Sequence, residues 1–551
     1  MRLPDVYGYG SLFAFSGIDG ENSHDRDLVA VTMPGLLTLR FDGTVPITLR
    51  LPLEGRSVRC VLPDAIAGTG FLVAFAEKET VIGEADVPPS LCAAGDEAEM
   101  RTGGGTVVTP DGAFALVSAG GRFALARGET PESAKAKAQA ALSQDPQARL
   151  REILRWYESL PACPDPAYER LYYKCAGISR VNVYSPQNGI PCRFTTPDRL
   201  PHRHMWLWDS MFHAMAIVRY DPALAKDAVW AVLACQRADG FIPHMMKSRT
   251  DVSGITQPPV VAWALLEIWK RTRDRDFLRE CAPKAAAFLR WFLQNRDRNG
   301  DGLPEWDMNF DSVRCRCDES GMDNSPRFDV TEYVDAIDAA SFLIHDCGCL
   351  AAVFAVLGEE GETAFFRDVA SRTAALVNDL LWDETVGAYT DRTFSGRLTG
   401  VLTPASFLPL FAGFCPPDRA EKLVALLRDP EKFATPFPVP SVSADDPAYG
   451  SDMWRGGVWL NYNDFIARGL RRNGYEEEAE ALRRRTLAAA DRWYRETGAV
   501  FEFYDPEDRT APWFLPRKGP QPSPPDCRVK LHAITDYNWS ASFLMLMLLG
   551  D

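Results

Sequence analysis

Up to about residue 127 the apolar positions come in short runs with partial alternation. The segments "DLVAVTMPGLLTLRF", "PITLRLPL", "SVRCVLP", "FLVAFAEKETVIGEADV" and "FALVSAGGRFALARG" are broken by Gly, Asp and Pro. A period near two between turn-forming residues predicts β-strands. Their close spacing predicts a sandwich-like domain over 1–127 rather than a βαβ sheet. Residues 128–164 then turn to Ala, Lys, Glu and Leu, and a Thr-Pro-Glu-Ser entry predicts a helical linker. From 165 to 551 helical periods dominate. In "AFFRDVASRTAALVNDLLW" the positions Phe366, Val369, Leu376 and Leu380 fall near one helix face. Further helices are expected at 335–357, 419–428, 458–473, 475–493 and 536–549, with no fixed-period repeat.

A formal charge of −15 changes the list of partners. Nucleic acid and anionic membranes both reward surplus Lys and Arg, so neither is an expected partner. No run of about 18 uncharged apolar residues predicts a membrane span. The start "MRLPDVYGYGSLFAFSG" lacks the apolar stretch of a secretory leader, so a cytoplasmic location is expected. The 13 Cys are scattered. Cys315/Cys317 and Cys347/Cys349 have C-x-C spacing, but nothing around them repeats in zinc-ribbon fashion, and reduced, mostly buried thiols are expected.

Candidate chemistry lies in the loops between helices. "HMWLWDSMFH", "QRADGFIPHMM", "ITQPPVVAW", "SGMDNSPRFD", "MWRGGVWLNYND", "VFEFYDPEDRT" and "DYNWSAS" each join aromatics or other apolar residues to Asp, Glu, Arg, Gln or Asn. Indole faces suit the CH-rich faces of sugars, while carboxylates, amides and Arg hydrogen-bond their hydroxyls. A phosphate ligand would call for Gly-rich fingerprints that are absent. The expected partner is therefore a small carbohydrate, with no cofactor required. The sequence carries no signal for a particular oligomeric state.

The motifs "WLWDSMF", "DGFIPHM", "TQPP", "ESGMDNSPRFD", "WRGGVWLNYN" and "FEFYDP" together resemble the catalytic domain of glycoside hydrolase family 63. That family includes processing α-glucosidases and mannosylglycerate hydrolase-like enzymes; trehalases are more distantly similar. The resemblance covers residues 165–551 and implies an (α/α)6 toroid and an inverting mechanism. Such a mechanism uses one carboxylic acid and one carboxylate about 6.5–9.5 Å apart. By motif, Asp323 corresponds to the general acid and Glu502 to the general base. Trp206, Trp208, Asp209, Gln257, Arg327, Asp338, Trp454, Arg455, Gly456, Trp459 and Trp539 correspond to substrate-holding positions. His244 is a further sugar-contact candidate. Gly457 stands where the family usually has Pro, implying a looser loop. The leading expectation is an exo-acting α-glucosidase on a small glucoside or oligosaccharide. An α-mannosidase, glycosylglycerate hydrolase or trehalase is the alternative, and a carbohydrate-binding protein or sugar epimerase the non-hydrolase one. An acidic aglycone would need basic residues, for which Arg203, Lys247 and Arg249 are candidates.

"NRDRNGDGLPEW" imitates the opening of a calcium loop. Asp297, Asn299 and Asp301, with the Leu303 carbonyl and Glu305, are the expected ligands of a structural calcium. Met308 stands at the twelfth position, so the loop is no EF-hand.

Overall fold

The structure is a computed structural model that describes all residues except 7, 9, 34–35, 42, 94–104, 313, 519–531 and 551. The N-terminal part holds two antiparallel sheets. Leu12–Ala14, Val29–Met33, Leu37–Phe41, Ile47–Leu51 and Ser90–Ala93 form one, in that spatial order. The other runs Gly105–Thr109, Gly112–Ala119, Arg122–Gly128, Thr80–Ala85, Phe71–Glu77, Ala65–Gly68 and Val58–Leu62. Alternate residues of both sheets, including Phe13, Leu39, Leu49, Phe75, Val81, Leu116 and Leu125, meet in one apolar layer, as facing sheets require.

The outer face of the larger sheet carries small residues, Ala113, Ala115, Ala124 and Ala126. Helix Pro131–Ala141 packs Ala134, Ala138 and Ala141 onto them, because Ala on Ala lets backbones approach closely. Thr130 and Ser133 form the capping box that starts this helix, with Pro131 in its first turn.

Beyond residue 165 two kinds of helix alternate. Leu207–Ile217, Ile337–Leu357, Leu460–Arg472 and Asn538–Leu549 are buried along most of their length. Glu360–Leu380 instead buries a stripe of Thr363, Phe366, Val369, Thr373 and Val377, at the spacing of one helix face. Leu376 and Leu380 are only partly buried at its edge. Phe465 sits at the centre of an aromatic cluster, its ring 5.8 Å from Phe212, 5.8 Å from Trp263, 5.8 Å from Phe342, 5.2 Å from Phe411 and 5.5 Å from Phe543. One helix, Ile337–Leu357, is long and apolar enough to cross a membrane by composition. It is largely buried against its neighbours, and its Asp346 accepts the first backbone N–H groups of helix Val261–Thr272 at 2.8 and 3.1 Å.

The β-domain is bonded to the helical domain by buried charge. Arg180 reaches Asp64 at 2.8 Å and Asp19 at 2.6 Å. Arg199 donates to the carbonyls of Phe15 and Val181 and pairs with Asp27. Burial pushes Asp27 up to about 6, against the opposing pull of Arg199.

Candidate active site

The loops at one end of the buried helices enclose a cavity of about 150 Å³. Asp323 and Glu502 both line it, from loops far apart in sequence. Trp206, Trp208, Trp459, Trp539 and Tyr537 give it aromatic walls, and Asp209, Gln257, His202 and His244 add polar ones.

The stretch "RCDESGMDNSPRFD" carries four acids, and each has a different task. Glu319 is wholly buried and saturated: Arg296 pairs with it through two nitrogens, and the backbone N–H groups of Thr256 and Asp307 donate to it at 2.9 and 2.8 Å. It anchors the loop. Asp329 accepts from Arg455 at 2.7 Å on the outside. Asp318 and Asp323 remain to face the cavity. The turn after Asp323 is held by Asn324, whose side-chain oxygen accepts the Trp454 N–H at 3.0 Å. The Asp323 carbonyl accepts from the N–H groups of Arg316 and Cys317. Gly321, at φ +73°, has room for no side chain, because a Cβ would lie 2.2 Å from the Trp208 indole. Backbone and cavity wall are thus packed as one piece.

Glu502 sits in an antiparallel bridge of Phe501 with Thr535, its own N–H donating to the Ile534 carbonyl. Its carboxylate accepts from Arg517 Nε at 3.0 Å and Nη2 at 3.1 Å. Burial works against the charge on Arg517, but the Glu502 carboxylate outweighs it and raises its pKa. Arg517 Nη2 also lies 3.2 Å from His202 Nε2, and His202 Nδ1 lies 2.6 Å from Asp198. Asp323 faces a separate cation, Lys518, at 2.6 Å.

Several buried polar atoms in this cavity have no protein partner: Asp209 Oδ1, Trp206 Nε1 and Trp539 Nε1. Buried polar groups ordinarily find partners, so a donor- and acceptor-rich ligand suits them. Burial, then the charges of Asp198 and Glu502, push Asp209 far above the carboxylate range. His244 is held at about 4, chiefly by burial, so its ring is neutral.

Other expected substrate contacts lie elsewhere. Arg327 is buried behind the acid loop, pairing with Asp338 at 2.7 Å and with Asp391 at 2.5 Å. Neither Arg327 nor Asp338 lines the cavity; a desolvated guanidinium needs this carboxylate shell more than a sugar. Trp454 is fully buried and stacks on the back of Trp459 at 3.9 Å and 3°. Arg455 is taken by Asp329, and Gly456 contributes backbone only, its N–H donating to Ser441 Oγ at 2.9 Å. At Gly457 a Cβ would meet the Met453 carbonyl at 2.4 Å and Phe503 at 2.8 Å, so the close packing there requires glycine. Arg203, Lys247 and Arg249 are absent from the cavity wall, and Lys247 pairs weakly with Asp251 at 4.0 Å.

The wall residues that pattern reading missed are His202, Cys315, Asp318, Gly321, Met453, Arg517, Lys518 and Tyr537. Two had a readable signal: Arg517 and Lys518 are adjacent cations within "FLPRKGPQPSPP", closely following the Glu502 motif. The twelve cysteines among the described residues are all free. Cys347 and Cys349 are buried in helix Ile337–Leu357, whereas Cys315 faces the cavity. Cys315, Asp318 and Asp323 bring ligand atoms within 4.8 Å of one another.

In the candidate calcium loop Arg392 lies 2.9 Å from both Asp301 and Asp335. Asn299 donates to Asp335 at 2.9 Å. Asp297 Oδ1 and Glu305 Oε2 are buried without a protein partner.

Asp318 is pushed up to about 6, first by burial and next by the charge of Asp323. A folded value above the ordinary one means the folded state holds this proton more tightly. Its stabilising contribution is full below about pH 4 and is lost as pH rises through about 6. Asp318→Asn is therefore expected to melt above the wild type near pH 8, with the gap closing toward about pH 4. Thermal denaturation of both proteins across this range checks it; a gap that widens on acidification contradicts it.

Residues 202–540 match the family described as the mannosylglycerate hydrolase MGH1-like glycoside hydrolase domain. The chain belongs to that family. It is a glycoside hydrolase of the family 63 type. Similar proteins include a mannosylglycerate hydrolase of Rubrobacter radiotolerans, 26% identical over 57% of this chain and 88% of that one. A glucosylglycerate hydrolase of Mycolicibacterium hassiacum is 27% identical over 57% of this chain and 89% of the other. Among solved structures, a mannosylglycerate hydrolase of Thermus thermophilus in complex with glucose is 25% identical. It covers 68% of this chain and 99% of its own, with a TM-score of 0.55.

Proposed function

We propose that this glycoside hydrolase is an inverting, exo-acting enzyme for the α-linkage of a small hexoside with an acidic aglycone, the class to which glucosylglycerate and mannosylglycerate belong. One observation carries the reading: Asp323 and Glu502 share a small aromatic cavity, and the cations Arg517 and Lys518 line it beside them. The cavity suits a terminal sugar ring rather than a polymer strand. We also read the alternating helices as a closed (α/α)6 toroid, with the fully buried helices inside.

In this mechanism Asp323 protonates the leaving glycosidic oxygen. Glu502 takes a proton from a water that attacks the anomeric carbon from the opposite face. Arg517 holds the Glu502 carboxylate in place through two nitrogens, and the His202–Asp198 pair steadies Arg517 from behind. Trp206 and Trp539 offer indole N–H groups to hydroxyls that water would otherwise hold, and Asp209 supplies a short-range acceptor or donor. No cofactor takes part. The names of the similar glycerate glycosidases support the acidic aglycone, and the free, mostly buried thiols support a cytoplasmic setting.

A proton NMR time course with glucosylglycerate, mannosylglycerate, trehalose and neutral α-glucosides tests this directly. First release of the β-hemiacetal from an α-glycoside is expected, with the glycerate conjugates preferred. First release of the α-product breaks the inverting reading. Preference for neutral α-glucosides moves the substrate to the α-glucosidase class. No turnover with retained sugar binding makes the protein a binder.

Calcium in the 297–305 loop is a second part of the reading. The unpartnered oxygens of Asp297 and Glu305 fit a cation, with Asn299 and the Leu303 carbonyl as further donors; Asp301 is already paired with Arg392. Bound calcium would neutralise charge and fasten the loop, without a part in the reaction. Chelation is expected to lower Tm and added calcium to restore it; an unchanged Tm removes the site.

A further inference from the structure

Lys518 stands in an unusual place for a catalytic pocket. Its ammonium lies 2.6 Å from Asp323 Oδ2 and 2.7 Å from Cys315 Sγ. Asp318 and Arg517 are the other charged groups acting on it. The backbone of Lys518 is in the left-handed region, φ 62°, which a non-glycine residue adopts only when its surroundings enforce it. Cys315, Asp318 and Asp323 thus cup a cation supplied by the chain itself. With Lys518 seated, its ammonium occupies Asp323 Oδ2, and that oxygen is not free to meet a leaving group.

We propose that Lys518 is a specificity-determining residue that exchanges one carboxylate for another. In the free enzyme it neutralises Asp323; in the complex it pairs with the acidic group of the aglycone. The side chain has a long, flexible stem and a three-donor head, which suits a swing between partners. Once it leaves, the Asp323 oxygen it covered is free to meet the glycosidic oxygen, to which Asp323 gives its proton as general acid. A neutral aglycone offers Lys518 no counter-ion, so Lys518 stays on Asp323 and turnover is slow. Arg517 cannot take this part, because it is held by Glu502 through two nitrogens.

This inference rests on Asp323 being the general acid of a glycosidase. It is tested with wild type, Lys518→Met and Lys518→Arg, all full length. Calorimetry compares D-glycerate with glycerol, and kcat/KM compares a glycosylglycerate with its glycosylglycerol analogue across pH. We expect Lys518→Met to lose about tenfold or more in glycerate affinity, as removal of a charge-assisted hydrogen bond implies. The preference for the acidic substrate falls by a similar or larger factor, and turnover of the neutral analogue rises. Lys518→Arg regains part of the glycerate affinity. Equal glycerate binding by wild type and Lys518→Met overturns the proposal, as does an unchanged substrate preference. If the wild type hydrolyses no glycoside, the hydrolase reading falls, while the calorimetry still decides whether Lys518 holds a carboxylate.

Discussion

Asp323→Asn is expected to fold normally and to lose about 10³-fold in turnover of an unactivated glycoside, within the usual 10²–10⁴ range for a general acid. The amide keeps the size of the carboxyl group but has no proton of suitable acidity to give. The deficit is expected to depend on the leaving group. A dinitrophenyl glycoside departs without protonation, so the variant should retain most of its rate there. Glu502→Gln should behave differently, losing a comparable factor on both substrates because the attacking water is no longer deprotonated. Azide, which needs no deprotonation, should restore its turnover of the activated substrate and give a product of inverted configuration. Steady-state rates on the two glycosides, with and without azide, separate the roles. Near-normal kcat for either variant on the unactivated glycoside removes that residue from its role. If Asp318→Asn is instead the variant with the leaving-group dependence, the acid lies at 318. That competitor is physical, since Asp318 also faces the cavity and is pushed up to about 6.

How much of this was legible differs between elements. The strands and helices follow from periodicity because one face of each is buried: the alternation of Leu37, Leu39 and Phe41 is the sheet pleat itself. The chemistry-bearing loops could be recognised as a set, since aromatics beside acids and amides have few other uses outside a core. Which member of each loop faces the cavity could not be read that way. Trp459 lines the cavity and Trp454 stacks behind it, five positions away in one motif. Arg327 looks like a substrate clamp beside Asp323, yet its partners Asp338 and Asp391 come from later segments. Likewise Arg517 and Lys518 come from a Pro-rich stretch with no periodicity, and only the folded chain brings them to Glu502 and Asp323. The adjacent cations can be seen in the sequence, but long-range pairing leaves no local trace of which acids they meet.

The same long-range pairing makes Asp536→Ala the change with the largest expected effect on the fold. Asp536 is fully buried, and its Oδ2 accepts from Lys174 Nζ and from the Leu12 N–H, each at 2.7 Å. Its Oδ1 accepts from the Val500 N–H at 3.1 Å. One carboxylate therefore ties the first β-strand, helix Glu169–Val181 and the strand that leads into Glu502. Lys174 is itself buried, so removing its partner leaves an ammonium in a dry site, which costs about 3–5 kcal/mol. Against a total stability of about 5–15 kcal/mol this is a fall in Tm on the order of 5 °C for a chain of this size. Asp536→Asn isolates the charge, because Asn tolerates the left-handed backbone at φ 52° and still offers one acceptor. Adding Lys174→Met to Asp536→Asn should recover most of the lost stability, since a buried pair removed together takes its desolvation penalty with it. A Tm for Asp536→Ala within a degree of wild type would show that this carboxylate is not what joins the domains. Loss of activity should track the single variants, because Phe501 pairs with Thr535 and Glu502 with Ile534 beside the tether. Deleting residues 1–127 takes away Leu12 and with it one of the three elements held by Asp536. The N-terminal sheets thereby become part of what positions Glu502.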